Sequence, residues 1–202
     1  LRPTYNNYLI FKYSFPHLLQ NLNLYAAYPA EFGDYFKYSP TFALAMGLFY
    51  FLPDWLGIVT WNLINTLFLF AGVKLLPRLN DKRKAFVLLF VLSELTGSLQ
   101  NLQSNGLITG MILLSFVFFE RKKVALAALF IVAAFYIKIF GIVAAAMFLL
   151  YPRKAKFLLF AAVWMVVFWA LPLLVVSSGQ LIGQYGNWLV LLKADYGQSY
   201  GF

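Results

Sequence analysis

The chain has 202 residues, of which 62% are apolar, 20% aromatic and only 11% charged, against roughly a quarter charged in soluble domains. A chain of this length cannot bury its recurring apolar runs in one core, so a water-soluble globule is excluded and lipid must cover them. The net charge of +9 does not indicate nucleic acid, because the basic residues form short clusters between apolar runs rather than an amphipathic face.

Residues 1–37 are mixed and aromatic, carry Asn6, Asn7, Glu31, Asp34 and Lys37, and contain no apolar stretch long enough to span. They read as an extramembrane loop. The chain starts at Leu1 without a methionine and without a signal peptide, as an excerpt of a longer protein would, and a first membrane helix is expected outside it. The apolar run 42–52, bounded by Pro40 and Pro53, falls short of the ~20 residues a crossing needs and reads as an interfacial or re-entrant helix. Residues 55–76 are long enough to cross, with Trp55 and Trp61 near one end, where indoles favour the interface. After Pro77 the basic stretch Arg78 to Lys84 is placed in the cytoplasm by the positive-inside rule.

Ala85 to Thr96 and Leu107 to Phe119 form a pair that goes out and returns, with the polar turn Gly97 to Gly106 between them and a second basic cluster, Glu120 to Lys123, behind them. The next run, Val124 to Tyr151, would be ~42 Å as one helix, more than a ~30 Å hydrocarbon core. Basic clusters flank it on both sides, the second being Pro152 to Lys156. Splitting it at Lys138 to Gly141 keeps both clusters inside and brings Lys138 to the outer side. A last span covers 157–176, interrupted by Pro172, and releases a polar outer segment with Gln184, Asn187, Asp195 and Gln198. The fold class is thus all-α, a polytopic transmembrane helical bundle in a single module: outer loop and interfacial helix over 1–54, membrane helices over 55–176, outer loop over 177–202.

Polar groups near a membrane are functional candidates by default. Lys138, beside a glycine-permitted break, is a point charge suited to a lipid phosphate. Gln100, Gln103 and Asn105 offer amides to sugar hydroxyls or phosphate, with Asn105 alternatively capping the helix that follows. Glu31 and Asp34 stand just before Lys37, Tyr38, Ser39 and Pro40, where a carboxylate is able to act as a general base. Lys138 alternatively snorkels to the interface, and Glu94 is either paired with a neighbour or functional. His17 is single and among aromatics, which reads as structural. No cysteine is present, so thiolate metal sites are excluded, and no acidic cluster has metal spacing; no cofactor is expected, a divalent metal being possible but not indicated.

The stretches YFKYSPTFAL (Tyr35 to Leu44), LPDWLGIVTWNLIN (Leu52 to Asn65), QNLQSNGLI (Gln100 to Ile108) and IKIFG (Ile137 to Gly141) together resemble the GT-C superfamily of polytopic membrane glycosyltransferases, specifically the bacterial alpha-mannosyltransferase branch that uses polyprenyl-phosphate-mannose. The resemblance covers most of residues 20–176. It implies a polyprenyl-phosphate-sugar donor, a lipid or glycan acceptor, an inverting transfer at the outer face of the bacterial plasma (inner) membrane, and an acidic base in the first outer loop. Similar proteins carry that acid at a place matched here by Asn6 or Asn7, so either Asp34 or Glu31 takes the role, or an acid outside this stretch of chain does, or the chemistry of this member is altered. They also carry a lysine in a helix break near the lipid phosphate, which Lys138 matches. Lys37 is assigned to the same phosphate, and Tyr38, Gln100, Gln103 and Asn105 to the substrate. A cleft between the first loop and the turns at 97–106 and 138–141 is expected at the outer face. The rival readings are a transporter or flippase for a lipid-linked sugar and an assembly subunit whose outer loops bind a partner protein.

Overall fold

A computed structural model of the chain describes residues 5–152 and 154–200. Among the described residues all regular structure is helical: α1 (Asn6–Leu19), α2 (Pro40–Ala45), α3 (Gly47–Tyr50), α4 (Asp54–Lys74), α5 (Asp81–Gln100), α6 (Asn105–Glu120), α7 (Val124–Ile137), a 3-10 helix (Ile139–Leu150), α8 (Lys154–Ala170), a 3-10 turn (Leu171–Leu174) and α9 (Ser178–Tyr200). Arg153, part of the third basic cluster, and the side chain of Gln198 lie outside the described residues. The chain divides into two compact units, one of residues 54–168 and one of the residues up to Pro53 together with those from Trp169.

In the 54–168 unit, α4 buries a stripe of Gly57, Trp61, Asn65, Leu69, Gly72 and Val73. A spacing of three to four residues puts these side chains on one helix face. That face meets α6, whose buried Gly106 and Gly110 form a G-x-x-x-G pair. A Cβ on Gly110 would come 2.7 Å from the Leu69 backbone nitrogen, so only glycine admits this approach; small residues let two helix backbones close where apolar burial gives no preference for protein over lipid. α7 packs on α6, and Phe119, Val124, Ala127, Ala128, Ile131, Ala144 and Phe157 build one apolar cluster. Two hydrogen bonds fix α8 to α7, Tyr136 Oη to the Met165 carbonyl (2.8 Å) and Trp164 Nε1 to the Ala125 carbonyl (3.0 Å).

The expected split of 124–151 is present. α7 ends at Ile137, Lys138 is extended (φ −134°, ψ 129°), and the 3-10 helix turns back on α7, with Gly141 so close that a Cβ would sit 2.5 Å from the Ala134 carbonyl carbon. The polar turn between α5 and α6 is shorter than the expected Gly97 to Gly106. α5 continues to Gln100 and α6 starts at Asn105, because Asn101 and Leu102 still bond back to Gly97 and Leu99 before the left-handed Leu102 (φ 52°) stops the helix.

The second unit corrects two expectations. Residues 1–37 are not all loop: α1 carries buried Tyr8, Phe11 and Leu18, and Phe11 packs edge-on against Tyr38 and Phe42 with ring centroids 4.9 and 5.3 Å apart. The left-handed Asn21 (φ 56°) ends it. Residues 177–202 are likewise not an outer loop, since 178–200 form α9. Its Leu181, Gln184, Tyr185 and Trp188 recur at helical spacing. Gln184 accepts from the Leu24 N–H (3.2 Å) and donates to the Leu22 carbonyl (2.6 Å), and the Thr41 and Tyr185 hydroxyls are 2.8 Å apart. These partners lie in remote sequence, which is why α9 reads as polar loop when taken alone. The 42–52 run becomes α2 and α3; Ser39 caps α2 through the Phe42 N–H (3.1 Å) and Pro40 holds its first turn.

Among the described residues two helical stretches are long and apolar enough to cross a membrane, Asp54–Lys74 (mean hydropathy 1.7) and Lys154–Leu174 (2.4), and 40–50, 105–120 and 124–137 are shorter apolar helices. α8 buries only Phe157 and exposes Leu158, Leu159 and Val166, the distribution of a lipid-facing helix. The indoles of α4 divide. Trp55 is 69% exposed, whereas Trp61 is 2% exposed and belongs to the core rather than to an interface.

Candidate functional site

In the 54–168 unit the turn 101–104 is held from α4. Trp61 Nε1 donates to the Leu102 carbonyl (3.1 Å). Asn65, fully buried, donates to the Trp61 carbonyl (3.0 Å) and accepts from the Leu107 N–H (2.9 Å). The second bond satisfies one of the donors that every helix start leaves open, so Asn65 ties the beginning of α6 to α4. Ser104 rather than Asn105 occupies the N-cap position, and it makes no side-chain capping bond. Asn105 points elsewhere.

Lys138 Nζ donates to Asn105 Oδ1 (2.9 Å) and lies 3.4 Å from Gln103 Oε1. The structure therefore brings together Lys138, Gln103 and Asn105, three of the residues singled out in the sequence. Gln100, the last residue of α5, is exposed. Among the described residues no carboxylate lies within ion-pair distance of Lys138. Neutral amide oxygens orient the ammonium without cancelling its charge, and a half-buried cation of this kind attracts an anion. Glu94 is exposed on α5.

The remaining candidates sit in the other unit. Glu31 Oε2 lies 2.8 Å from His17 Nε2. His17 is 3% exposed and its ring lies over Tyr28 at 4.0 Å between centroids. Burial lowers its pKa below the ordinary value, and the neighbouring Glu31 offsets part of that. Asp34 is exposed and accepts from the Tyr35 N–H (2.7 Å). Asn6 accepts from the Gly33 N–H (2.8 Å), which sets the matched Asn6 position next to the Asp34 stretch. Lys37 is engaged by Asp195 (2.9 Å). Tyr38 is buried among Phe11, Phe36 and Phe42, with its carbonyl accepting from Tyr25 Oη (3.0 Å). Among the described residues no cluster of three or more His, Asp or Glu side chains is arranged to hold a metal ion.

The family model of glycosyltransferase family 87 matches residues 36–198. The chain belongs to that family. The match takes in Lys138, Gln103, Asn105, Gln100, Lys37 and Tyr38, while Glu31 and Asp34 precede it. No curated protein and no solved structure matches this family 87 glycosyltransferase. Sequence reading missed Trp61 and Asn65 as the residues that position the turn. The signal was available for Asn65, an amide in an apolar crossing helix. It was available only weakly for His17, whose partner Glu31 is set by tertiary contact.

Proposed function

We propose that this glycosyltransferase is a multi-pass GT-C-type enzyme of the bacterial plasma (inner) membrane that transfers a hexose, mannose, from a polyprenyl-phosphate-linked donor to a lipid or glycan acceptor at the outer face. The observation that carries this reading is Lys138, a cation oriented by two amides, with no carboxylate partner among the described residues, at a break between apolar helices. A membrane-embedded donor would present its phosphate at such a depth.

In an inverting transfer the acceptor oxygen forms a bond to the anomeric carbon, the bond from that carbon to the phosphate oxygen breaks, and the acceptor proton passes to a base. Lys138 would stabilise the charge gathering on the departing phosphate. Gln103 and Asn105 hold its ammonium, and exposed Gln100 remains available to sugar hydroxyls. Lys37 is left out of the phosphate site because Asp195 already engages it. For the base, Glu31 is favoured over Asp34: one of its oxygens lies 2.8 Å from the buried His17, whereas Asp34 accepts from the adjacent N–H.

The test is transfer of labelled mannose from polyprenyl-phosphate-mannose by the full-length protein in detergent. Lys138→Ala is expected to lower kcat/KM by about 10²–10³, the range for losing one preorganised charge-stabilising donor. Glu31→Gln is expected to lower kcat with little change in KM, and Asp34→Asn to do less. Wild-type transfer by all three variants would show the assignment to be wrong.

A further inference from the structure

The helices of the 54–168 unit alternate in direction, so its turns fall at two ends. Lys138 meets the turn 101–104 at one end. At the other, the loops after α4, after α6 and after the 3-10 helix converge on a cavity of about 390 Å³ lined by Arg78, Glu120, Lys122, Tyr151 and Phe157 among others. About 21 Å of α7 separates the two ends.

The floor is aromatic. Phe119 stacks on Tyr151 with centroids 4.5 Å apart and meets Phe157 at 5.4 Å. Glu120 is already neutralised: Arg78 Nη2 is 2.9 Å from one of its oxygens and Tyr151 Oη donates to the other at 2.8 Å. Burial, and then that bond to Glu120, push the Tyr151 phenol up to about 12, so it stays a donor. Glu120 thus aims the guanidinium of Arg78, whose side chain is otherwise 84% exposed. Lys122 adds a cation with no carboxylate within ion-pair distance among the described residues, and Arg121 and Lys123 flank it.

Both lining cations occupy left-handed backbone, Arg78 at φ 64° and Lys122 at φ 59°. Lys122, two residues after the end of α6, is at a position that normally takes glycine or asparagine, and Arg78 lies in the turn after Pro77. Immediately beyond the cavity, α8 exposes Leu158 and Leu159, a track along which acyl chains would lie.

The geometry points to a binding site for the phosphate of an anionic phospholipid headgroup, held between Arg78 and Lys122 over the Phe119–Tyr151 floor. Lys122 supplies the net positive charge, Arg78, whose Nη2 is already turned to Glu120, supplies its remaining guanidinium N–H donors, and the chain track beside α8 favours a lipid over a soluble phosphate ester. Basic pockets between membrane helices recognise headgroups by this combination.

The test is native mass spectrometry of the full-length protein in mixed micelles, comparing phosphatidylglycerol with phosphatidylcholine. Phosphatidylglycerol is expected to bind about tenfold tighter, and Arg78→Gln and Lys122→Gln each to weaken it about fivefold, the ratio expected per juxtamembrane cation. Lys82→Gln, in the first turn of α5 and outside the cavity lining, is expected to stay within about twofold. Lys122→Gly separates binding from folding, because it relaxes a left-handed position and so keeps or raises the Tm while binding falls. Equal binding of the two lipids, or equal losses for Lys82→Gln and the cavity variants, would overturn the proposal. Displacement of the lipid by an equal concentration of glycerol phosphate or inorganic phosphate would overturn the lipid assignment.

Discussion

Gly110→Ala is the sharpest probe of how the Lys138 cluster is built. The added Cβ would meet the Leu69 backbone nitrogen at 2.7 Å, whereas ordinary contact needs 3.4–4 Å. Backbone cannot swing aside as a side-chain tip can, so α4 and α6 must part by about 1 Å, an overpacking strain of about 1–3 kcal/mol. That separation also stretches the Asn65–Leu107 bond from 2.9 Å and the Trp61–Leu102 bond from 3.1 Å beyond useful length, at about 1 kcal/mol each. The total, about 3–5 kcal/mol, is a large share of a typical stability of about 5–15 kcal/mol. The turn carrying Gln103 and Asn105 would shift with α6, and a misplacement of about 1 Å costs up to about 10²-fold in rate. Thermal unfolding in detergent and the mannose-transfer assay read both effects. Gly97→Ala is the control, since nothing lies within 4 Å of its Cβ and an alanine in a helix gains up to about 1 kcal/mol. A Gly110→Ala protein with wild-type Tm and activity would refute the close approach of α4 and α6 and the positioning argument built on it.

Gly141→Ala drives a Cβ into the Ala134 carbonyl, so the turn at Lys138 should open; activity is expected to fall along with Tm, and an unchanged Tm would contradict the hairpin. Asn65→Leu keeps the volume but leaves the Leu107 N–H buried without its acceptor, an expected loss of about 1–3 kcal/mol measurable as a lower Tm. His17 gives a pH signature. Burial depresses its folded-state pKa, so below the ordinary value of about 6.5 the unfolded chain binds the proton first. The contribution of His17 is therefore fully present above that value and is lost as pH falls through the depressed one. Between about pH 7.5 and 5 the wild type is expected to lose more Tm than His17→Phe, and parallel curves would show that His17 does not titrate in this way. Gln184→Leu leaves the Leu22 carbonyl and the Leu24 N–H without their α9 partner and is expected to cost about 1–3 kcal/mol in the same measurement.

Much of the membrane-helix pattern was legible from apolar runs and their punctuation. Pro53 and Pro77 bracket α4, and the excess length of 124–151 with basic clusters on both flanks forced a break at Lys138. These features follow from local chemistry and from the thickness of a bilayer, which any sequence must satisfy. The polar elements were harder. α1 and α9 lack the apolar runs that mark a crossing helix, and their buried faces are completed by residues far along the chain, Tyr38 and Phe42 against Phe11, and Leu22, Leu24 and Thr41 against Gln184 and Tyr185.

The same division holds for the site. The sequence by itself determined that the chain is a helical protein needing lipid, that Lys138 sits at a glycine-permitted turn between apolar helices, and that amides at 103 and 105 occupy another turn. Only the tertiary structure decided which side chains of these two turns meet, that Lys37 is engaged by Asp195, that Tyr38 is core, and that His17 lies against Glu31. A lysine's role depends on whether a carboxylate or a neutral amide faces it, and partners 33 to 158 residues away are fixed by helix packing rather than by any local spacing.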